Sequence, residues 1–153
     1  MNQHPLRTPL EQLQTELDRV PPPVAADSLL EVISMLTEHS FTVGSVTINY
    51  AEEPPSGPPL VLLHGLADRW QAFLPILPTL AARWHVYAVD CRGHGKSSRT
   101  PGHYQAKDYF ADLRAFLLHQ LPQPALLLGH SSGGSLALAL AAELPEHVRG
   151  IMG

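Results

Sequence analysis

Ala125-Leu126-Leu127-Leu128-Gly129-His130-Ser131-Ser132-Gly133-Gly134-Ser135-Leu136-Ala137 is the stretch whose reading decides the fold. A short apolar run ends in Gly-x-Ser-x-Gly and passes directly into an alanine- and leucine-rich segment, the pattern of strand, sharp turn and helix. Ser131 stands at the turn. A serine hydroxyl becomes a useful nucleophile where a base and a carbonyl can both reach it, and a strained strand-to-helix turn projects it there. Gly129 and Gly133 carry no Cβ, so the backbone on either side of Ser131 can pass close to its neighbours. A helix starting at Ser132 adds unpartnered N–H groups and the positive end of its dipole, both suited to an oxyanion. Ordinary strand-to-helix turns also produce this spacing, so the flanking segments have to decide.

Upstream, Leu60-Val61-Leu62-Leu63 is apolar without alternation, as expected for a strand buried on both faces of a parallel sheet, and it ends in His64-Gly65-Leu66. Val86-Tyr87-Ala88-Val89-Asp90 reads as the next buried strand. The loop Asp90-Cys91-Arg92-Gly93-His94-Gly95-Lys96-Ser97-Ser98 follows it. Gly95-Lys96-Ser97 matches the end of a phosphate-binding loop, but Asp90 stands where that motif needs its first glycine, so the nucleotide reading fails. Asp90 and Arg92 are expected to tie loops together. Between Trp70 and Trp84, Phe73, Leu74, Leu77 and Leu80 predict a helix that Pro75 and Pro78 shorten or kink. Residues 105–121 and 132–143 predict two more helices, the second broken before Pro145, and residues 148–153 open one more strand. Strand, loop and helix thus repeat from Leu60 onward, predicting an α/β fold: an open, mostly parallel sheet with helices on both faces.

Before Leu60, Phe41 and Val43 alternate with polar residues. Val46, Ile48 and Tyr50 alternate in the opposite parity across Gly44-Ser45, which is a hairpin signal. Leu10, Leu13, Leu17 and Val20 predict a short amphipathic helix that Pro21-Pro22-Pro23 stop. A second helix is expected from Ser28, with Glu31 completing a capping-box pattern and Leu29, Val32, Ile33 and Leu36 on one side. The chain therefore divides into a helical extension, residues 1–40, and a main domain, residues 41–153.

With 153 residues, 44% hydrophobic, the chain suits one globular domain. A formal net charge of -4 and the absence of a basic run argue against a nucleic-acid binder and for a small-molecule partner. The single Cys91 can form no internal disulfide. No apolar run is as long as a membrane span, and the first thirty residues lack signal-peptide order, so the cytoplasm is the expected compartment. His130, His94 and His103 read as packing, surface or loop histidines, and no spacing suggests a metal site.

Three ordered motifs resemble the α/β-hydrolase fold family: His64-Gly65 after a buried strand, Asp-x-Arg-Gly-x-Gly-x-Ser from Asp90, and the Gly-x-Ser-x-Gly elbow around Ser131. The resemblance implies Ser131 as nucleophile toward a small-molecule ester, amide or thioester, through an acyl-enzyme that water hydrolyses. It implies an oxyanion hole from the N–H groups of Leu66 and Ser132, with His64 and Gly65 ordering the loop and no metal or organic cofactor. The chain departs from the commoner pattern by having Ala67-Asp68-Arg69-Trp70 where Pro and Gly usually follow the His-Gly pair.

In this family the triad runs in the order Ser, then Asp or Glu, then His. After Ser131 the sequence offers Glu143, Glu146 and His147, all at or beyond the far end of the elbow helix, roughly 20 Å away. The resemblance therefore covers the N-terminal half of the family's domain, to the sixth strand. It implies that this chain alone lacks the triad acid and histidine and is inactive, with a last strand exposed to self-association. Acyltransferases, lyases and cofactor-free peroxidases would share every one of these motifs, and a non-catalytic interaction protein is the other alternative.

Overall fold

A computed structural model describes residues 26–53 and 57–153. The helix expected near residues 9–20 lies outside them. In chain order the elements are α1 (Ala26–Met35), β1 (Thr37–Val43), β2 (Val46–Glu52), β3 (Pro59–Leu63), a 3-10 turn (Trp70–Phe73), α2 (Leu77–Ala81) and β4 (His85–Val89). Then follow α3 (Ala106–His119), β5 (Ala125–Gly129), α4 (Ser132–Glu143) and β6 (Val148–Met152). The six strands form one sheet in the order β1-β2-β4-β3-β5-β6. The first two contacts are antiparallel, and those among β4, β3, β5 and β6 are parallel.

Every residue of β3 and β4 is buried, because helices cover both faces of the parallel part. Alternate residues feed opposite cores. Val61, Leu63 and Val89 pack with Leu113, Phe116 and Leu117 of α3 and Ala137 and Leu140 of α4. Leu60, Leu62, Val86 and Ala88 pack on the other face with Trp70, Phe73 and Leu77. Each fully buried large side chain contributes about 1.5–3 kcal/mol, so these two layers hold the sheet.

The hairpin between β1 and β2 turns at Gly44-Ser45, with Val43 opposite Val46 and Gly44 at φ +57°. Prolines cut the segment after β3 as their fixed φ and missing N–H require, leaving the four-residue 3-10 turn and the five-residue α2 with Pro78 in its first turn. Gln105 caps α3 through a reciprocal capping box with Asp108.

Two boundaries differ from the sequence reading. β1 begins at Thr37, so residues 37–40, read as part of the extension, belong to the sheet. Thr37 to Ser40 show no apolar alternation because they lie on an edge strand and pair through backbone groups with β2. The helix read as starting at Ser28 starts at Ala26, which puts Ser28 inside its first turn.

Candidate active site

The C-terminal ends of the three central strands lie level: Leu63 pairs with Val89 on one side and with Gly129 on the other. The loops that follow them therefore open on one edge of the sheet, where ligands of open α/β sheets bind. Two non-glycine residues among those described adopt positive φ, and both sit on this rim: Ala67 at 62° and Ser131 at 54°. Ser131, with ψ −118°, caps α4 without a side-chain hydrogen bond to it. Such a conformation costs about 1–3 kcal/mol and holds only where surroundings enforce it.

Glycines make that enforcement possible. A Cβ on Gly133 would run into the Leu63 carbonyl and stand 2.8 Å from that of His64. One on Gly129 would overlap the backbone of Gly133 and Gly134. At Gly65 it would lie 2.9 Å from His130 Nδ1 and 3.4 Å from Ser131 Cβ, so the His64-Gly65-Leu66 loop packs directly on the serine turn. The His130 N–H donates to the Leu63 carbonyl over 2.9 Å, completing the junction.

Two imidazoles hold the loop after β3. His64 is buried; its Nε2 accepts the Cys91 N–H at 3.0 Å and its Nδ1 lies 2.7 Å from the Gly65 carbonyl. That pairing assigns the proton to Nδ1, which donates, and keeps the ring neutral. Burial pulls the His64 pKa below the ordinary imidazole value, the bond to Gly65 opposing. His94 Nδ1 lies 2.9 Å from the Arg92 carbonyl, while its Nε2 accepts the Ala67 N–H at 3.3 Å. The sequence read His94 as a loop residue; the structure sets it between two loops, with its ring centroid 5.0 Å from that of His64.

The loop after β4 rests on buried charge. Asp90, 1% exposed, accepts the Trp70 N–H at 2.8 Å, Asn49 Nδ2 at 2.9 Å and the Lys96 N–H at 3.0 Å. Arg92 grips Asp112 of α3 with two bonds of 2.6 Å and reaches the His103 carbonyl at 3.2 Å. Both residues tie loops together, as the sequence suggests. Lys96 pairs with Glu38 of β1, and the Ser97 hydroxyl bonds the Asp90 carbonyl and the Asn49 N–H, so neither is free for a phosphate. Burial pushes the Cys91 thiol up to about 12, with the carboxylates of Asp90 and Asp112 adding to it, so it stays protonated at neutral pH.

Among the described residues, the N–H groups of Leu66 and Ser132 meet no acceptor. Both residues line one cavity of about 580 Å³, walled by Tyr109 and Phe110 of α3 and Leu136 and Ala139 of α4. The two residues read as oxyanion donors thus border the same cavity. Glu143 does not: it pairs with Arg114 at 2.8 Å, about 18 Å along α4 from its start. The His147 carbonyl accepts the Ala125 N–H at the opposite end of β5. His130 is exposed, and among the described residues no side chain hydrogen-bonds the Ser131 hydroxyl. No group of three His, Cys, Asp or Glu among them is arranged to hold a metal.

Sequence reading missed the Arg92–Asp112 pair and the link from His94 to Ala67. The first had a signal: Asp112 interrupts the apolar stripe of the half-buried Tyr109 and the buried Leu113 and Phe116 in α3, and a charge there requires a partner.

The magnesium-chelatase 30 kDa subunit of Rhodobacter capsulatus is 40% identical over 93 residues, covering 60% of this chain and 33% of that protein. A 2-(acetamidomethylene)succinate hydrolase of Mesorhizobium japonicum is 34% identical over 110 residues, or 72% of this chain and 39% of that one. A haloalkane dehalogenase variant from Bradyrhizobium elkanii superposes with a TM-score of 0.71 at 30% identity, over 76% of this chain and 39% of that one. The chain thus spans well under half the length of each. No helix among the described residues is long and apolar enough to cross a membrane. The family model for the alpha/beta hydrolase fold takes in residues 58–153, every element from β3 to β6, and the chain belongs to that family.

Proposed function

We propose that the protein is a serine hydrolase of this fold, with Ser131 as its nucleophile. The observation that carries the reading is the pair of unpartnered N–H groups, on Leu66 and Ser132, lining one cavity beside a serine held at positive φ. Ser131 Oγ attacks the carbonyl carbon of an ester, amide or thioester while its proton passes to a base. The two N–H groups hold the oxyanion, and the leaving group departs with a proton. Water then attacks the acyl-enzyme, releasing the acid and restoring the hydroxyl. The base and its orienting carboxylate reach Ser131 from outside the described residues. A serine without them retains only what binding and the oxyanion hole supply, so the activity belongs to the whole protein. The likeness to a protein named as a hydrolase of an acetamido compound agrees with acyl chemistry.

A fluorophosphonate probe on the protein isolated from its source should label Ser131, and Ser131→Ala should abolish labelling and lower hydrolysis of an activated ester at least about a thousandfold. Labelling that persists in Ser131→Ala overturns the assignment. The likeness to a chelatase subunit favours one second reading, a non-catalytic partner protein, with the exposed Ile151 and Met152 of β6 as contact surface. That reading takes the lead if the intact protein resists the probe.

A further inference from the structure

We infer that the substrate carries an anionic oxygen group, a carboxylate or phosphate, held by Arg69 and Arg99 at the mouth of the Ser131 site; the inference rests on the serine-hydrolase reading. A second concavity, of about 610 Å³, is lined by Ala67, Asp68, Arg69, Gly93, Gly95 and Arg99 together with His94. His94 borders both. Ala67 directly follows Leu66, one Cα step of about 3.8 Å from the proposed oxyanion donor. The two concavities are therefore near enough, through His94 and the Leu66–Ala67 step, for one substrate to reach both.

The other cations of these loops are matched. Arg92 holds Asp112 and Lys96 holds Glu38, whereas Arg69 and Arg99 meet no carboxylate among the described residues. Asp68 shares the concavity, but its Oδ1 accepts the Arg69 N–H at 2.9 Å, which leaves two guanidinium charges against one carboxylate. Neither arginine hangs from a loose backbone. Arg69 precedes Trp70, whose N–H is fixed by the buried Asp90, and its own carbonyl accepts the Ala72 N–H at 3.0 Å. Arg99 is bracketed by Ser98, bonded to Thr47 of β2, and by Thr100, whose N–H donates to the Tyr104 hydroxyl at 2.8 Å. Fixed stems with free forks suit the bidentate recognition of carboxylate or phosphate oxygens. The two concavities differ in chemistry: the first is walled mainly by apolar side chains of α3 and α4, with Lys107 at its edge, and the second carries Arg69 and Arg99. Together they suit an asymmetric substrate with an apolar arm and a charged one.

The test compares phenyl acetate with 4-acetoxybenzoate and 4-acetoxyphenyl phosphate on the full natural protein. The charged esters should have the lower KM, and Arg69→Gln or Arg99→Gln should reduce that preference about tenfold, as should raising the salt. Whichever of the two charged esters is preferred identifies carboxylate or phosphate as the group. Equal KM values for charged and neutral esters, or a preference untouched by both substitutions, overturn the inference. If no ester is hydrolysed, the hydrolase reading fails. The subsite is then judged by titrating 4-hydroxybenzoate, phenyl phosphate and neutral phenol into Ser131→Ala. Binding of the anions that is lost in Arg69→Gln upholds the subsite, and equal binding of phenol overturns it.

Discussion

The serine turn and the loop after β4 stand side by side on the same rim and both close on glycines, yet only the second adds a buried polar network. Around Ser131 the backbone is forced by what is missing: Gly129, Gly133 and Gly65 let three segments approach until no Cβ would fit. From Asp90 to Ser98, Gly93 and Gly95 likewise leave no room for a Cβ, but the backbone is also held by what is present, a buried carboxylate with three N–H donors and a buried guanidinium–carboxylate pair. Steric confinement fixes one conformation and tolerates no added atom. A polar network fixes one conformation too, but its failure leaves charges stranded in a dry interior.

The largest effect should come from adding a single methyl at the turn. Gly133→Ala drives a Cβ into the Leu63 backbone, which cannot step aside as a side chain could, and should destabilise by at least about 4 kcal/mol or prevent folding. Denaturant unfolding checks it, and a loss below about 1 kcal/mol would show that the turn is not held by contact. Arg92→Met, which strands Asp112 beneath α3, should cost about 3–5 kcal/mol by the same measurement, while Arg92→Met with Asp112→Leu should recover most of the loss.

Gly44→Ala separates space from conformation. Gly44 has φ +57° with nothing within 4 Å of a built Cβ, so only the left-handed backbone penalises the change, by about 1 kcal/mol. A cost there as large as at Gly133 would break the distinction drawn above. At His64 the expected outcome is a change of slope. Its pKa is lower folded than unfolded, so its contribution is complete above the ordinary value of about 6.5 and is lost as pH falls below it toward the folded pKa. Urea midpoints from pH 8 to pH 5 should therefore fall less steeply in His64→Asn than in the natural sequence.

Contrast between the two loops also explains what could be read from sequence. The serine turn was legible because glycine spacing is a local signal and its cause lies within a few residues of Ser131. β3 and β4 were legible because Leu60 to Leu63 and Val86 to Val89 are apolar throughout. The hairpin showed in the opposite parities of Phe41 and Val43 against Val46, Ile48 and Tyr50. The bonds that shape the second loop join residues far apart in the chain. Asn49 to Asp90, Arg92 to Asp112 and Ala67 to His94 depend on which strands become neighbours, and no local pattern announces that. Thr37 to Ser40 escaped for another reason: an edge strand pairs through backbone atoms common to every residue, so polar side chains there carry no signal.

Strand order has a consequence for how the chain is made. β3 lies between β4 and β5, and its partner across the second seam, from Leu126 to Gly129, leaves the ribosome only after about sixty more residues. At about 5–20 residues per second that interval is roughly three to twelve seconds. Throughout it, Leu60-Val61-Leu62-Leu63 has at least one unpaired, wholly apolar edge, and two until β4 is made, a preferred target for chaperones and for other nascent chains.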